Sequence, residues 1–205
     1  MQIFVTATDT NIGKTVISSW LCLKSGYEYF KPIQTGSIEG TDSDFVQKIA
    51  KVKAHKESYI YKAPLSPHLA AQKENQEINI KNVKLPTANN LIIEGAGGIL
   101  VPINPKFLMI DLIRQLKTPV IIVSPARLGT INHTLLTIRA LNSKKIEILG
   151  VILNGADENN KGNIEAIEFY GKVKVLSLFP KLKKITNDSL KSVSFNQELQ
   201  NLLSK

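Results

Sequence analysis

Cysteine is nearly absent: Cys22 stands alone, so no disulfide can form within the chain. That excludes the stapled scaffolds of small secreted domains and points to a reducing cytoplasm. Cys22 sits in Trp20-Leu21-Cys22-Leu23 and reads as a buried structural thiol. No apolar run approaches the roughly 18 residues of a membrane span. The opening Met1-Gln2-Ile3-Phe4-Val5-Thr6 has no basic segment leading into a long apolar one, so no signal peptide is expected. Arginine is scarce. The net charge is +9, yet only Arg114, Arg127 and Arg139 carry the guanidinium that reads phosphates and base edges bidentately. The lysines are scattered and no basic stripe alternates with aromatics, which argues against a nucleic-acid reader. His55, His68 and His133 lack metal-ligand spacing and are read as structural. No serine or cysteine lies in a nucleophile-elbow context.

What is present is an ordinary globular composition, 43% hydrophobic and 21% charged over 205 residues. A chain of this length buries roughly 70% of its extended surface and needs no staple. Short β-rich runs alternate with helical ones. Strands are expected at Ile3–Thr8, Tyr27–Ile33, Leu91–Glu94, Val120–Ser124, Ile148–Asn154 and Val173–Leu178. Most are continuous apolar runs, as strands covered on both faces are. Helices are expected at Lys14–Lys24, Ser43–Lys51, Ile110–Leu116, Ile131–Leu141, Asn163–Tyr170 and Asn196–Leu203. The order predicts one α/β domain over residues 1–205, a doubly wound, mostly parallel sheet with a P-loop. Segments 34–42 and 55–90 are long and irregular, a common trait of functional loops.

The first strand runs into Thr8-Asp9-Thr10-Asn11-Ile12-Gly13-Lys14-Thr15. Gly-Lys-Thr between a strand and a helix is the core of a phosphate loop. Glycine lets the backbone approach the anion, and successive N–H groups and the helix N-terminus face it. Lys14 puts a point charge on the β/γ oxygens and the Thr15 hydroxyl can ligate Mg²⁺. Thr8 occupies the position of the first glycine of G-x-x-x-x-G-K-S/T, so a general search for that pattern would pass over this chain.

In an open α/β sheet, ligands sit beyond the carboxyl ends of the strands. The second strand ends in Lys31-Pro32-Ile33-Gln34-Thr35-Gly36, where a lysine can neutralise transferring oxygens. The third ends in Glu94-Gly95-Ala96-Gly97-Gly98, a carboxylate placed for a second Mg²⁺ contact. Asp42 and Asp44 flank Ser43; either could reach the metal or cap the following helix. The fourth strand leads through Arg127-Leu128-Gly129 into a helix N-terminus, a second possible anion site. Asn154 could present its amide to a base edge, and Pro180-Lys181-Leu182 could form a wall for the base.

Thr8-Asp9-Thr10-x-x-Gly13-Lys14-Thr15, Lys31-Pro32-x-x-Thr35-Gly36, Ser66-Pro67-His68, Glu94-Gly95-Ala96-Gly97-Gly98 and Gly129-x-Ile131-Asn132-His133 occur in this order in the dethiobiotin synthetases, and the chain resembles that family from residue 3 to about 155. The resemblance implies ATP, Mg²⁺, CO2 and 7,8-diaminopelargonate. A carbamate formed on one amine attacks the γ-phosphate of ATP, and the second amine closes the ureido ring on the resulting carbamic–phosphoric anhydride. Phosphate leaves; dethiobiotin and ADP are the other products. By the same resemblance Asn11, Ile12, Gly13, Lys14, Thr15 and Val16 hold the triphosphate, with Gly95, Ala96 and Gly97 beside it. Thr15, Asp44 and Glu94 hold Mg²⁺. Lys14 and Lys31 neutralise the carbamate and the transferring phosphoryl group, and Thr10 and Thr35 hydrogen-bond the diamine or carbamate. Leu128, Gly129 and Asn132 receive the substrate carboxylate across a homodimer interface, with Tyr170 a candidate tyrosine contact. Asn154, Gly155, Pro180, Lys181 and Leu182 face the adenine. Ala7 stands where many relatives carry glycine and Thr35 where serine is common, and no acidic base contact is identifiable in the C-terminal third.

Two other classes share the phosphate loop. A cobyrinate-type amide ligase would carry a further glutaminase domain, for which 205 residues leave no room. A partition-type switch ATPase would carry a second lysine early in the loop, where this chain has Thr8, Asp9 and Thr10. Stimulation of hydrolysis by DNA or lipid would favour the switch, and stimulation by a diamine with bicarbonate the synthetase.

Overall fold

A computed structural model describes residues 1–204, without the side chain of Glu158. Seven parallel strands form one sheet in the order β4-β2-β6-β1-β7-β8-β9. They are β1 (Gln2–Ala7), β2 (Glu28–Phe30), β4 (Ala54–His55), β6 (Leu91–Gly98), β7 (Val120–Pro125), β8 (Ile148–Asn154) and β9 (Val175–Phe179). The apolar runs are continuous because both faces are covered. Along β1, Ile3, Val5 and Ala7 pack on one side with α1 (Lys14–Ser25), α2 (Asp42–Ala50), α7 (Asn187–Ser192) and α8 (Gln197–Leu203). Phe4 packs on the other, with α3 (Pro67–Lys73), α4 (Met109–Leu116), α5 (Thr130–Ser143) and α6 (Lys161–Gly171). The same alternation recurs at Ile121/Ile122 of β7.

Five of the six expected strands and all six expected helices are present, with ends displaced by a few residues. The exception is the expected strand Tyr27–Ile33. It breaks at Lys31-Pro32, because proline has no N–H for the ladder and fixes its own φ. The chain leaves the main sheet there and re-forms as β3 (Ile33–Thr35), paired in parallel with β5 (Tyr59–Tyr61) in a separate two-stranded ribbon. The Pro32 carbonyl anchors this ribbon by accepting from Ser58 N at 3.0 Å and Tyr59 N at 3.1 Å. Segment 55–90 is thus not structureless; it holds β5, α3 and a 3₁₀ turn at Ile80–Asn82. The C-terminal helices dock on α1. Trp20 Nε1 donates to Val193 O at 2.9 Å, and its ring meets Phe179 and Phe195 edge-on. The buried Tyr27 hydroxyl donates to Leu203 O at 3.1 Å.

Candidate active site

The β1–α1 loop opens beside the central strand. Gly13 adopts φ 93°, a left-handed conformation that favours glycine. A Cβ there would lie 2.3 Å from Asn154 Nδ2. Asn154, at the end of β8, donates that amide to Ile12 O at 2.7 Å and so fastens the loop to the far half of the sheet. The N-terminus of α1 has no side-chain cap, so its N–H groups remain available to an anion. Lys14 lies mostly buried over the loop, its ammonium 3.4 Å from Asp9 O. Burial lowers its pKa, and neighbouring Lys31 adds to that against the opposing pull of Glu94 and Asp42.

The end of β6 carries the centre of the site. Glu94 is 1% exposed. Its Oε1 lies 2.8 Å from Thr15 Oγ1 and 3.1 Å from Lys31 Nζ. Its Oε2 accepts from the Tyr29 hydroxyl at 2.9 Å. Asp42, first residue of α2, closes the cluster: Oδ1 is 3.1 Å from Thr15 Oγ1, and Oδ2 pairs with Lys31. Burial would lower the Lys31 pKa, but Glu94 and Asp42 outweigh it and hold the ammonium above its ordinary value. The Thr15 hydroxyl has one proton for two carboxylates, and Lys31 is the cation that pairs with both. Such a set of hard oxygens is deficient in positive charge and suits Mg²⁺. Among the described residues no group of three or more His, Cys, Asp or Glu could hold a metal alone. Mg²⁺ takes one or two carboxylates and completes its shell with phosphate and water.

Asp44 is placed differently from the expectation. Its Oδ2 accepts from Thr41 N at 3.0 Å and Thr41 Oγ1 at 2.7 Å, and these bonds hold its carboxyl below the usual pKa. This is the capping box of α2, completed by Asp44 N donating to Thr41 Oγ1 at 3.0 Å. Asp44 lies on the rim of the site, and it is Asp42 that faces Thr15. Sequence reading missed two supports. Buried Gln34 accepts from Asp42 N at 3.1 Å through Oε1 and donates to Thr35 O at 2.8 Å, linking the ribbon to α2. Tyr29 binds Glu94 as above. Gln34 fills an unspecified position of the Lys31–Gly36 motif and Tyr29 lies outside the motifs; for Tyr29 the pairing of β2 with β6 would have been the signal.

A cleft of about 1140 Å³ runs over these groups. It brings together Thr10, Asn11, Gly13, Lys14, Thr15, Val16, Lys31, Thr35, Glu94, Ala96 and Gly97, and Pro64, Ser66 and Pro67 line it as well. Gly97 adopts φ 67°, and a Cβ there would press within 2.7 Å of Val101 Cγ2 and 3.4 Å of Thr10 Oγ1. Ile12 and Gly95 lie behind the lining: Ile12 is buried, and the face of Gly95 is filled by the Phe4 ring. Asn154, Gly155 and Pro180–Leu182 gather where β8 and β9 end side by side, reaching the phosphate loop through Ile12. Leu128, Gly129 and Asn132 are exposed at the start of α5, apart from the cleft, and Leu128 is fully exposed. The Ser124 hydroxyl sits 2.8 Å from Thr130 Oγ1 and 2.7 Å from Thr134 Oγ1, pinning that helix start to β7.

A family model described as an AAA domain matches residues 1–189. The chain is 58% identical over 202 residues to the ATP-dependent dethiobiotin synthetase BioD of Lawsonia intracellularis, covering 98% of each. The chain belongs to the dethiobiotin synthetase family. It is also 40% identical to the synthetase of Neorickettsia sennetsu, covering 99% of this chain and 96% of that one. Over 185 residues it is 43% identical to the biotin biosynthesis bifunctional protein BioCD of Bordetella avium, matching 39% of that longer chain. Among solved structures the synthetase fold is shared with a cell division protein FtsY from Thermotoga maritima, at TM-score 0.58, 14% identity and coverage of 100% of this chain and 69% of that one. It is shared too with the MinC:MinD complex of Aquifex aeolicus, at TM-score 0.57, 14% identity and coverage of 100% and 96%. These two likenesses concern architecture alone.

Proposed function

We propose that the cleft joins MgATP to a carbamate of 7,8-diaminopelargonate. The activity is ATP-dependent dethiobiotin synthesis, a ligase step of biotin biosynthesis, and it follows from the family. The observation that carries the site reading is the buried Glu94–Lys31–Asp42 cluster standing directly beside the phosphate loop.

The triphosphate lies on the N–H groups of Asn11–Val16, at the positive end of α1. Thr15, Glu94 and Asp42 hold Mg²⁺; Asp42 replaces Asp44 in this role because its carboxylate, not that of Asp44, meets Thr15. The metal supplies charge neutralisation across the phosphate oxygens when bound. Lys14 faces the phosphate side and Lys31 the substrate side, so a carbamate oxygen between them is held in line with phosphorus and its charge is met during transfer. Thr10 and Thr35, which both line the cleft, orient the diamine through their hydroxyls. Adenine rests at the ends of β8 and β9, against Asn154, Gly155 and Pro180–Leu182.

The substrate carboxylate is taken by the α5 N-terminus around Leu128–Asn132, from a second subunit. Support comes from the exposed Leu128, Leu136, Phe169 and Tyr170, on or beside α5 and α6, apolar area that a homodimer would cover. No described helix is long and apolar enough to cross a membrane. The dependence on ATP and the single, buried thiol of Cys22 support a cytoplasmic location.

The test is a product assay: purified protein, diaminopelargonate, bicarbonate and MgATP, with mass detection of dethiobiotin. Dethiobiotin should appear only when all four are present and match ADP mole for mole. ADP release indifferent to the diamine, with no dethiobiotin, would overturn the reading.

A further inference from the structure

Tyr29 sits in the middle of β2, fully buried, with Ala54 of β4 on one side and Ile92 of β6 on the other. Its ring belongs to the core on the α1 face. Phenylalanine would fill that space equally, and a hydroxyl buried without a partner is costly. The hydroxyl has a partner in Glu94 Oε2, at 2.9 Å. Lys31 follows the end of β2, two residues after Tyr29, and both side chains reach Glu94. They divide the two oxygens of one carboxylate: Lys31 reaches Oε1, the oxygen beside Thr15, and Tyr29 reaches Oε2. A phenol is neutral at physiological pH, so the hydroxyl is a donor to the carboxylate.

We infer that Tyr29 is a positioning residue for the metal carboxylate: by occupying Oε2 it fixes the Glu94 rotamer and leaves Oε1 directed at Thr15 and the cation. When Lys31 turns to substrate, Tyr29 is the neutral donor that remains on Glu94. The inference rests on the reading of Glu94 as a Mg²⁺ ligand. Losing an outer hydrogen bond that orients a metal ligand weakens metal affinity by about 10–100-fold.

The test is Mn²⁺ titration of wild type, Tyr29→Phe and Glu94→Gln, each with a non-hydrolysable ATP analogue, reading free Mn²⁺ by electron paramagnetic resonance. Tyr29→Phe should bind Mn²⁺ about tenfold or more weakly. Its Mg²⁺ half-saturation in dethiobiotin synthesis should rise in parallel, and kcat should recover at saturating Mg²⁺. A purely structural tyrosine would lower thermal stability and leave Mn²⁺ affinity unchanged. Mn²⁺ affinity within threefold of wild type in Tyr29→Phe, with a large loss in Glu94→Gln, overturns the inference alone. Unchanged affinity in Glu94→Gln overturns the metal reading beneath it. Should Tyr29→Phe not fold, 3-fluorotyrosine at position 29 retains the hydroxyl, and its fluorine resonance should move as metal is added with the analogue. A resonance indifferent to metal overturns the inference equally.

Discussion

Lys14 and Lys31 are two buried lysines in one site held by opposite balances. Among the described residues no carboxylate contacts Lys14 and its pKa falls with burial, whereas Lys31 lies in an ion cluster and its pKa rises. The difference predicts different failures. Lys14→Ala removes charge aimed at the transferring phosphoryl group, a loss of about 3–4 kcal/mol or 10²–10³ in rate, measured by steady-state synthesis on protein of normal fold. Lys31→Gln should bind ATP with near-wild-type affinity, since nucleotide contacts come from the loop after β1, yet make almost no dethiobiotin. It should also melt earlier, because two carboxylates are left without their ammonium, and breaking a buried pair costs about 3–5 kcal/mol. Nucleotide titration, a product time course and a melt on one preparation check all three. The metal assignment is tested by a pair of variants. Asp42→Asn should raise the Mg²⁺ needed for turnover at least tenfold, and Asp44→Asn should change it little. The reverse order would return the ligand to Asp44. The motifs made Glu94, Lys14 and Lys31 legible from the sequence. The family resemblance assigned the metal to Asp44 over Asp42, but both flank one serine and only the turn of α2 decides which faces inward.

At the scale of elements, the first turn of α2 does two jobs with adjacent residues. Thr41 and Asp44 cap it, and Asp42 is thereby set toward the phosphate loop. Thr41→Ala should destabilise the fold by about 1 kcal/mol at neutral pH. Its hydrogen bonds hold the Asp44 carboxyl below its ordinary value of 3.8, so this contribution is present above that pH and lost as pH falls through the lower folded value. The stability gap between wild type and Thr41→Ala in denaturant melts should therefore narrow as pH falls below about 3.8, without closing, because the Asp44 N–H bond to Thr41 Oγ1 does not titrate. The phosphate loop makes a sharper demand. Gly13→Ala combines a positive φ with a Cβ driven into the Asn154 amide. It should weaken ATP binding at least tenfold, read by nucleotide titration, because a displaced loop turns its N–H groups off the phosphates. The split of the expected strand Tyr27–Ile33 belongs to this scale as well. Pro32 was visible, but the partner that rescues the freed chain, β5, lies 24 residues downstream of β3 and only three residues long in a run with no clear period.

At the scale of the whole molecule, four of the exposed large apolar side chains lie on or beside α5 and α6: Leu128 and Leu136, with Phe169 set edge-on to Tyr170. A dimer through this face would bring an α5 N-terminus toward a partner's cleft. Leu136→Glu should then shift the molecule to monomer in light scattering and raise KM for diaminopelargonate at least tenfold, with ATP binding retained. A monomeric wild type would remove the second subunit from the substrate site. The sequence by itself determined the parallel α/β class, the phosphate loop and the order of the motifs, because two-sided burial writes continuous apolar runs and phosphate binding demands a particular local backbone. Tertiary structure decided which of two aspartates meets Thr15, that Asn154 fastens the loop through Ile12, and that Tyr29 and Lys31 share Glu94. The first outcome depends on how the turn of α2 is docked, and the others on the lateral register of strands distant in sequence, β2 against β6 and β8 against β7, which no local pattern of side chains encodes.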